Sequence, residues 1–275
     1  MNILDIQNAT IYRGENLVFE RLNLRIDAGC HTAILGPNGA GKTTLMKLLA
    51  REVYPVLRAG SAVRLFGSED WNVWELRARL GIVSGDLQQE YLPHTTGLRV
   101  ILSGLFASID LWPGQNPTRD EREHAERILE QLGVSELRDR PFGEMSTGQQ
   151  RRLLLGRALI HSPSALLLDE PTTGLDMKAC FQYLGAIREL MRSGATVILV
   201  TQHIHEIPPE IGRVILLRRG TLIADGAKDA VLSSELLSEV YDIPVQVVHA
   251  GGYFQALPVQ AVSERAVPRE TAAGK

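Results

Sequence analysis

Apolar and polar positions change their period several times along the chain. Ile3–Leu24 alternates, with turn chemistry at Arg13-Gly14-Glu15-Asn16, which predicts antiparallel strands. Thr32-Ala33-Ile34-Leu35 is a short apolar run that enters a glycine-rich turn, and Thr43–Ala50 beyond it has helical spacing: strand, loop, helix. A helix is predicted over Val73–Leu80 with Gly81 as its stop. Another covers Arg119–Leu132, where Glu121, Arg122, Glu123, Glu126 and Arg127 take the wet faces and Ile128, Leu129 and Leu132 turn inward. Thr147–His161 and Lys178–Arg192 are two more. Ala165–Leu168, introduced by Ser162-Pro163-Ser164, and Ala195–Thr201 read as buried strands. Strands alternating with helices predict an α/β fold, a mainly parallel sheet with helices on both faces. From Ala261 on there is little apolar periodicity, and a frayed or disordered end is expected.

Composition narrows the class. The 275 residues suffice for one large domain, or for one domain with a small helical insertion. A 44% hydrophobic and 22% charged content is ordinary for a soluble globular protein. The net charge of −3 gives no general pull toward nucleic acid, so no direct nucleic-acid binding is expected. Met1–Thr10 reads as an edge strand rather than a secretory leader. The longest apolar stretch, Val100–Trp112, is broken by Ser103, Gly104, Ser108 and Asp110 and falls short of the ~20 residues of a spanning helix. A membrane role would therefore come through a partner. Cys30 and Cys180 stand far apart in no metal-like spacing, which fits a reducing compartment.

The chemistry begins in the first glycine-rich turn. Gly36-Pro37-Asn38-Gly39-Ala40-Gly41-Lys42-Thr43 fits the phosphate-loop pattern at every fixed position. Its glycines let backbone N–H groups turn inward around phosphates, and the following helix points its positive end at the same anions. Lys42 is expected on the β- and γ-phosphates of ATP, the Thr43 hydroxyl on Mg²⁺, and Thr44 on an adjacent phosphate. The strand Ala165–Leu168 ends in Asp169 and Glu170, at the strand end where ligands of parallel sheets collect. Asp169 is expected to hold Mg²⁺ through its water shell, opposite Thr43. Glu170, one residue on, points elsewhere and is placed to polarise an attacking water as general base.

Met145-Ser146-Thr147-Gly148-Gln149-Gln150-Arg151-Arg152 opens an apolar helix with Ser146 as a good N-cap. It is a second anion site. One γ-phosphate rarely needs two such sites in one domain, whereas a head-to-tail dimer does. This segment resembles the signature motif, usually written LSGGQ, of ATP-binding cassette (ABC) ATPases. The order of phosphate loop, signature and acidic strand is that family's, and the resemblance covers residues 1 to about 250. It implies a P-loop core, an N-terminal antiparallel β subdomain, a helical subdomain inserted over about 88–160, and a C-terminal extension over 251–275. The text around Gly81–Gly104 is similar to single-cassette relatives of the molybdate-type ATPases.

The remaining family positions carry over one at a time. Tyr12 resembles the aromatic that stacks on adenine; the other reading is an ordinary strand tyrosine. Asp176, in Thr173-Gly174-Leu175-Asp176, stands at the D-loop and would face a partner subunit. His203 matches the switch histidine of the γ-phosphate, while His205 has no such support and is expected in solvent. The Q-loop glutamine, a catalytic and Mg²⁺-binding position, arrives late; Gln88 is favoured over Gln89. Thr147 stands where the signature has glycine. The resemblance implies an ATP-hydrolysing subunit whose Ser146, Gly148 and Gln149 close on ATP held by a second copy, or by a homologous cassette. An integral membrane permease would be the further partner, placing the chain on the cytoplasmic face of the membrane. A soluble ABC ATPase acting on nucleic acid or ribosomes stays open as the alternative. The apolar run Val100–Ile109 is either a partner-docking surface or a core helix.

Overall fold

The computed structural model describes residues 2–259. The tail expected from Ala261 on lies outside the described residues.

The N-terminal alternation forms β1 (Asn2–Arg13) and β2 (Asn16–Asp27), an antiparallel pair joined by β4 (Ala62–Leu65) in the order β2-β1-β4. Between β2 and β4 run β3 (Thr32–Leu35) and α1 (Lys42–Leu49). Next come α2 (Val73–Arg79), β5 (Leu80–Val83), α3 (Gly85–Glu90), α4 (Gly97–Ser103), α5 (Arg119–Gln131) and α6 (Thr147–Leu159). Then follow β6 (Ala165–Asp169), α7 (Met177–Arg192), β7 (Thr196–Thr201), β8 (Arg213–Arg218) and β9 (Thr221–Ala227). Short helices α8 (Lys228–Val231) and α9 (Ser234–Tyr241) lead to a hairpin of β10 (Val245–Ala250) and β11 (Tyr253–Pro258).

The main sheet has the order β5-β6-β7-β3-β8-β9, parallel throughout except for the antiparallel edge strand β9. Its central strands read as unbroken apolar runs because both faces are covered. Successive residues enter opposite cores, as the two-residue period of a strand requires. Ala33, Leu35, Leu166, Leu168, Val197 and Leu199 join the core under α4–α7. Ile34, Leu167, Ile198 and Val200 join the core shared with α1 and the antiparallel sheet. The parallel register sets Leu35 beside Thr201 and Asp169 beside Val200, so the three segments that follow β3, β6 and β7 emerge at one edge.

Packing refines three expectations. Gly81 does not stop a helix. The chain leaves α2 at Arg79 and Leu80 is already extended, so Gly81 lies within β5. A Cβ there would sit 2.7 Å from the Ala158 carbonyl oxygen and 2.8 Å from Leu166 Cδ2, which makes Gly81 a packing glycine. The run Val100–Ile109 divides: Val100, Ile101 and Leu102 are fully buried under α5 and α6 as a core helix, while Gly104–Ile109 are half-buried, with Gly104, Ala107 and Ile109 on a cavity wall. The boundary expected at 250/251 falls inside the turn of the β10–β11 hairpin. Buried Lys228 donates to the carbonyls of Pro208, Pro209 and Gly252, tying that hairpin to the segment after β7. Among the described residues no helix is long and apolar enough to cross a membrane.

Candidate nucleotide site

The loop 36–41 is shaped by its surroundings as much as by its glycines. Gly36 lies so close to β8 that a Cβ would sit 2.3 Å from the Leu217 carbonyl oxygen. Gly41 has φ +107°, a region closed to ordinary side chains, and a Cβ there would meet the Phe19 ring at 2.6 Å. Phe19 is itself fully buried, so β2 forms the wall against which the loop turns. Lys42, 6% exposed at the start of α1, donates to the carbonyl oxygens of Gly36 (2.7 Å) and Pro37 (3.1 Å). Burial lowers its pKa, and the carboxylates of Glu170 and Asp169 oppose that shift.

Thr43 and Asp169 line one cavity of about 380 Å³. Burial raises the Asp169 carboxyl to about 6; Glu170 and Asp86 push the same way, and Lys42 and Arg151 oppose them. A hydroxyl and a carboxylate in a field of excess negative charge form an oxygen donor set suited to Mg²⁺. Among the described residues no three His, Cys, Asp or Glu side chains gather to hold a metal. A divalent ion here would thus combine Thr43 and Asp169 with oxygens of its own water and of a phosphate.

Glu170 departs from β6 with φ +42°, an uncommon conformation for a non-glycine residue, fixed by its N–H donating to the Val200 carbonyl (2.8 Å). Arg151 of α6, 7% exposed, reaches across to the carbonyls of Glu170 (3.0 Å) and Thr173 (3.1 Å). The side chain of Glu170 accepts from the Thr173 hydroxyl (3.4 Å).

The second anion-ready end is built differently. Ser146 Oγ accepts from the Gln149 N–H (3.3 Å) and Gln149 Oε1 accepts from the Ser146 N–H (3.0 Å), a reciprocal cap on α6. Ser146 and Thr147 are exposed, Gly148 is buried, and none of 146–149 lines the cavity of Thr43 and Asp169. Asp176 is exposed and caps α7 through the Ala179 N–H (2.8 Å). Tyr12, 38% exposed, pairs with Leu17 at the tip of the first hairpin. His203, half-buried two residues past β7, stacks on exposed His205 at 5.3 Å and is also absent from the cavity wall.

Gln88 is not brought to the cavity. Its Nε2 donates to Gln150 Oε1 (2.7 Å), and Gln150 donates in turn to the Phe142 carbonyl (2.8 Å), so it fastens α3 to α6. The cavity wall carries Asp86 instead. The reason is geometric: α3 begins at Gly85, and two residues along a helix rotate the side chain by about 200°. Gln89 is exposed. Sequence reasoning also passed over Arg151, although an arginine three and four residues before the buried Leu154 and Leu155 is a readable sign of an inward-facing charge.

The sequence profile of the ABC transporter family matches residues 19–173. An uncharacterized ABC transporter ATP-binding protein of Bacillus subtilis, YlmA, is 32% identical over 90% of this chain and 93% of its own length. The hemin import ATP-binding protein HmuV of Rhodopseudomonas palustris is 31% identical over 89% of this chain and 90% of its own. Among solved structures, the dimeric post-hydrolysis state of the cassette MJ0796, bound to ADP and Pi, superposes with a TM-score of 0.67 at 26% identity. That match covers 82% of this chain and 98% of that one.

Proposed function

The chain belongs to the ABC transporter family as one of its ATP-binding, ATP-hydrolysing subunits, and from that premise we propose that two copies sandwich two ATP molecules to drive a separate membrane permease. The observation that carries this reading is the separation of the two anion-ready ends. The loop 36–41 leads into Lys42, Thr43 and Thr44, of which Thr43 lines the cavity of Asp169, whereas Ser146 caps α6 from an exposed position and none of 146–149 lines that cavity. A second chain turned head to tail supplies what each lacks. The similar cassette MJ0796 is dimeric in its post-hydrolysis state, bound to ADP and Pi, which supports this reading.

In each site Lys42 leaves its loop carbonyls for the phosphates, and the inward N–H groups of 36–41 hold the same charge. Thr43 and Asp169 would hold Mg²⁺, which when bound neutralises charge on the β- and γ-phosphates. Glu170, set on its strained backbone at the end of β6, takes the proton of the attacking water. Asp176 meets the partner subunit, His203 orients the γ-phosphate side, and Tyr12 stacks on the base. The cavity that reaches Thr43 and Asp169 opens outward between α2 and α3, at a rim of Val73, Arg77 and Glu90. A permease seated there would press on the nucleotide end directly, and the chain would lie on the cytoplasmic face of the membrane.

The trans arrangement is tested by complementation. Chains with Lys42→Ala and chains with Ser146→Arg are each inactive as homodimers, while a mixed dimer holds one intact composite site. With Glu170→Gln added to both so that ATP-bound dimers accumulate, size exclusion should show ATP-dependent association only in the mixture. Association in neither single variant nor the mixture, alongside association of the Glu170→Gln chain alone, would refute the trans site.

A further inference from the structure

Glu206 carries a carboxyl group into the interior, outside the site described above. It is 1% exposed and lies one turn past β7. Its two oxygens serve two different segments: Oε1 accepts from the Thr172 hydroxyl and Oε2 from the Thr201 hydroxyl. Thr201 Oγ1 accepts in turn from the His203 N–H (2.9 Å). Thr172 is 6% exposed and stands between Glu170 and Asp176, in the loop whose carbonyls Arg151 holds. Cys180 of α7 lies beside the same pair, where burial raises its thiol pKa against the hydrogen bond of Thr172.

We propose that Glu206 is a positioning residue that couples the loop of Glu170 and Asp176 to the segment of His203. The inference rests on the roles given to those residues under Proposed function. A buried carboxylate is costly to leave unmatched, so both hydroxyls are held to it. A displacement of Asp176 by an arriving partner subunit then moves Thr172, and through Glu206 moves Thr201 and the backbone of His203. The backbone pairing of β6 with β7 ends at Asp169 and Val200 apart from the Glu170 N–H. The carboxylate continues the connection past the end of the sheet.

The experiment compares Thr172→Val, Thr201→Val, Glu206→Gln and Glu206→Leu for turnover, ATP affinity and melting temperature. Thr172→Val and Glu206→Leu should each lower kcat about tenfold with ATP affinity unchanged, as expected of an interaction used during turnover rather than in binding. Combined, they should do no more harm than either alone, because both cut one connection. Glu206→Gln, which still bonds both hydroxyls, should restore kcat to within about threefold of the unmodified chain. Full turnover in Thr172→Val and Thr201→Val would overturn the proposal. So would losses that track melting temperature and ATP affinity together, since those are the marks of a merely structural bond. If Glu206→Leu fails to fold, the threonine variants and Glu206→Gln still decide the question. An unmodified chain without ATPase activity would sink the reading of the site itself, not the connection.

Discussion

The two anion-ready ends of this chain invite comparison. The loop at Lys42 is made by tertiary structure. Its turns press on the Leu217 carbonyl and the Phe19 ring, its lysine is buried, and its carboxylate neighbours Asp169 and Glu170 come from another strand. The end at Ser146 is made by two residues three positions apart, Ser146 and Gln149, a reciprocal cap complete within one helical turn with Ser146 and Thr147 open to solvent. One end is costly to build and is built once, inside the fold. The other costs the fold little and is free to be pressed onto another surface. A composite site between copies needs that asymmetry: a rigid receiving half and an exposed offering half.

The largest effect should come from disturbing the rigid half. Gly41→Ala places a Cβ against a fully buried ring at a backbone angle that alanine disfavours, so both the loop and Phe19 must shift. Misplacing reacting groups by about 1 Å costs on the order of 100-fold in rate. ATP turnover should fall on the order of 100-fold, with affinity for a fluorescent ATP analogue weakened as well. Retained turnover would show that the loop reshapes freely and that the contrast between the two ends is false.

The same contrast explains what was legible in the sequence. The cap at Ser146 rests on neighbours within four residues, and the glycine and lysine spacing at 36–43 marks the loop between strand and helix, though not the packing on Leu217 and Phe19 that shapes it. The acidic end of β6 was readable because an apolar run stops in two carboxylates. What was not legible depends on contacts distant in sequence. Gly81 reads as a stop until Ala158 and Leu166 are seen against it. Gln88 suits the site by residue type, but the start of α3 at Gly85 turns it toward Gln150 and leaves Asp86 on the cavity wall. Glu206 and Arg151 carry polar groups inward to partners that no local pattern reveals. The run at 100–109 is apolar in the same way whether a helix is buried by its own chain or by a partner, and packing answers it for Val100–Leu102 alone.

A medium effect follows from the electrostatics of the rigid half. Asp169 ionises near 6 when folded, against 3.8 for an ordinary aspartate. Between those values the folded chain binds more protons than the unfolded one, so this group makes stability fall as pH rises from about 4 through 6. The penalty is then fully present at neutral pH. Asp169→Asn should therefore raise the melting temperature of the nucleotide-free chain at about pH 7.5 by a few degrees, with the gain shrinking toward pH 4. An Asn variant less stable than the parent at neutral pH would mean that the carboxylate is stabilised where it stands, and that the receiving half stores no electrostatic cost.

The smallest effect on the fold should come from the exposed half, and here two substitutions separate building from use. Ser146→Ala removes the acceptor of the Gln149 N–H and should cost about 1 kcal/mol, a fall of roughly 2–4 °C in melting temperature for a chain of this size. Ser146→Asp keeps an acceptor at the N-cap and adds a negative charge at the positive end of α6, so the isolated chain should be as stable as the parent or slightly more so. If this helix end serves only its own fold, Ser146→Asp is the benign change and Ser146→Ala the harmful one. If it closes on a phosphate carried by another copy, the order reverses. The aspartate then meets the γ-phosphate as a like charge, and ATP-driven association, measured by light scattering in the Glu170→Gln chain, should be lost for Ser146→Asp and only weakened for Ser146→Ala. Because the two readouts rank the same two variants oppositely, a matching order in both would leave Ser146 as a helix cap and nothing more.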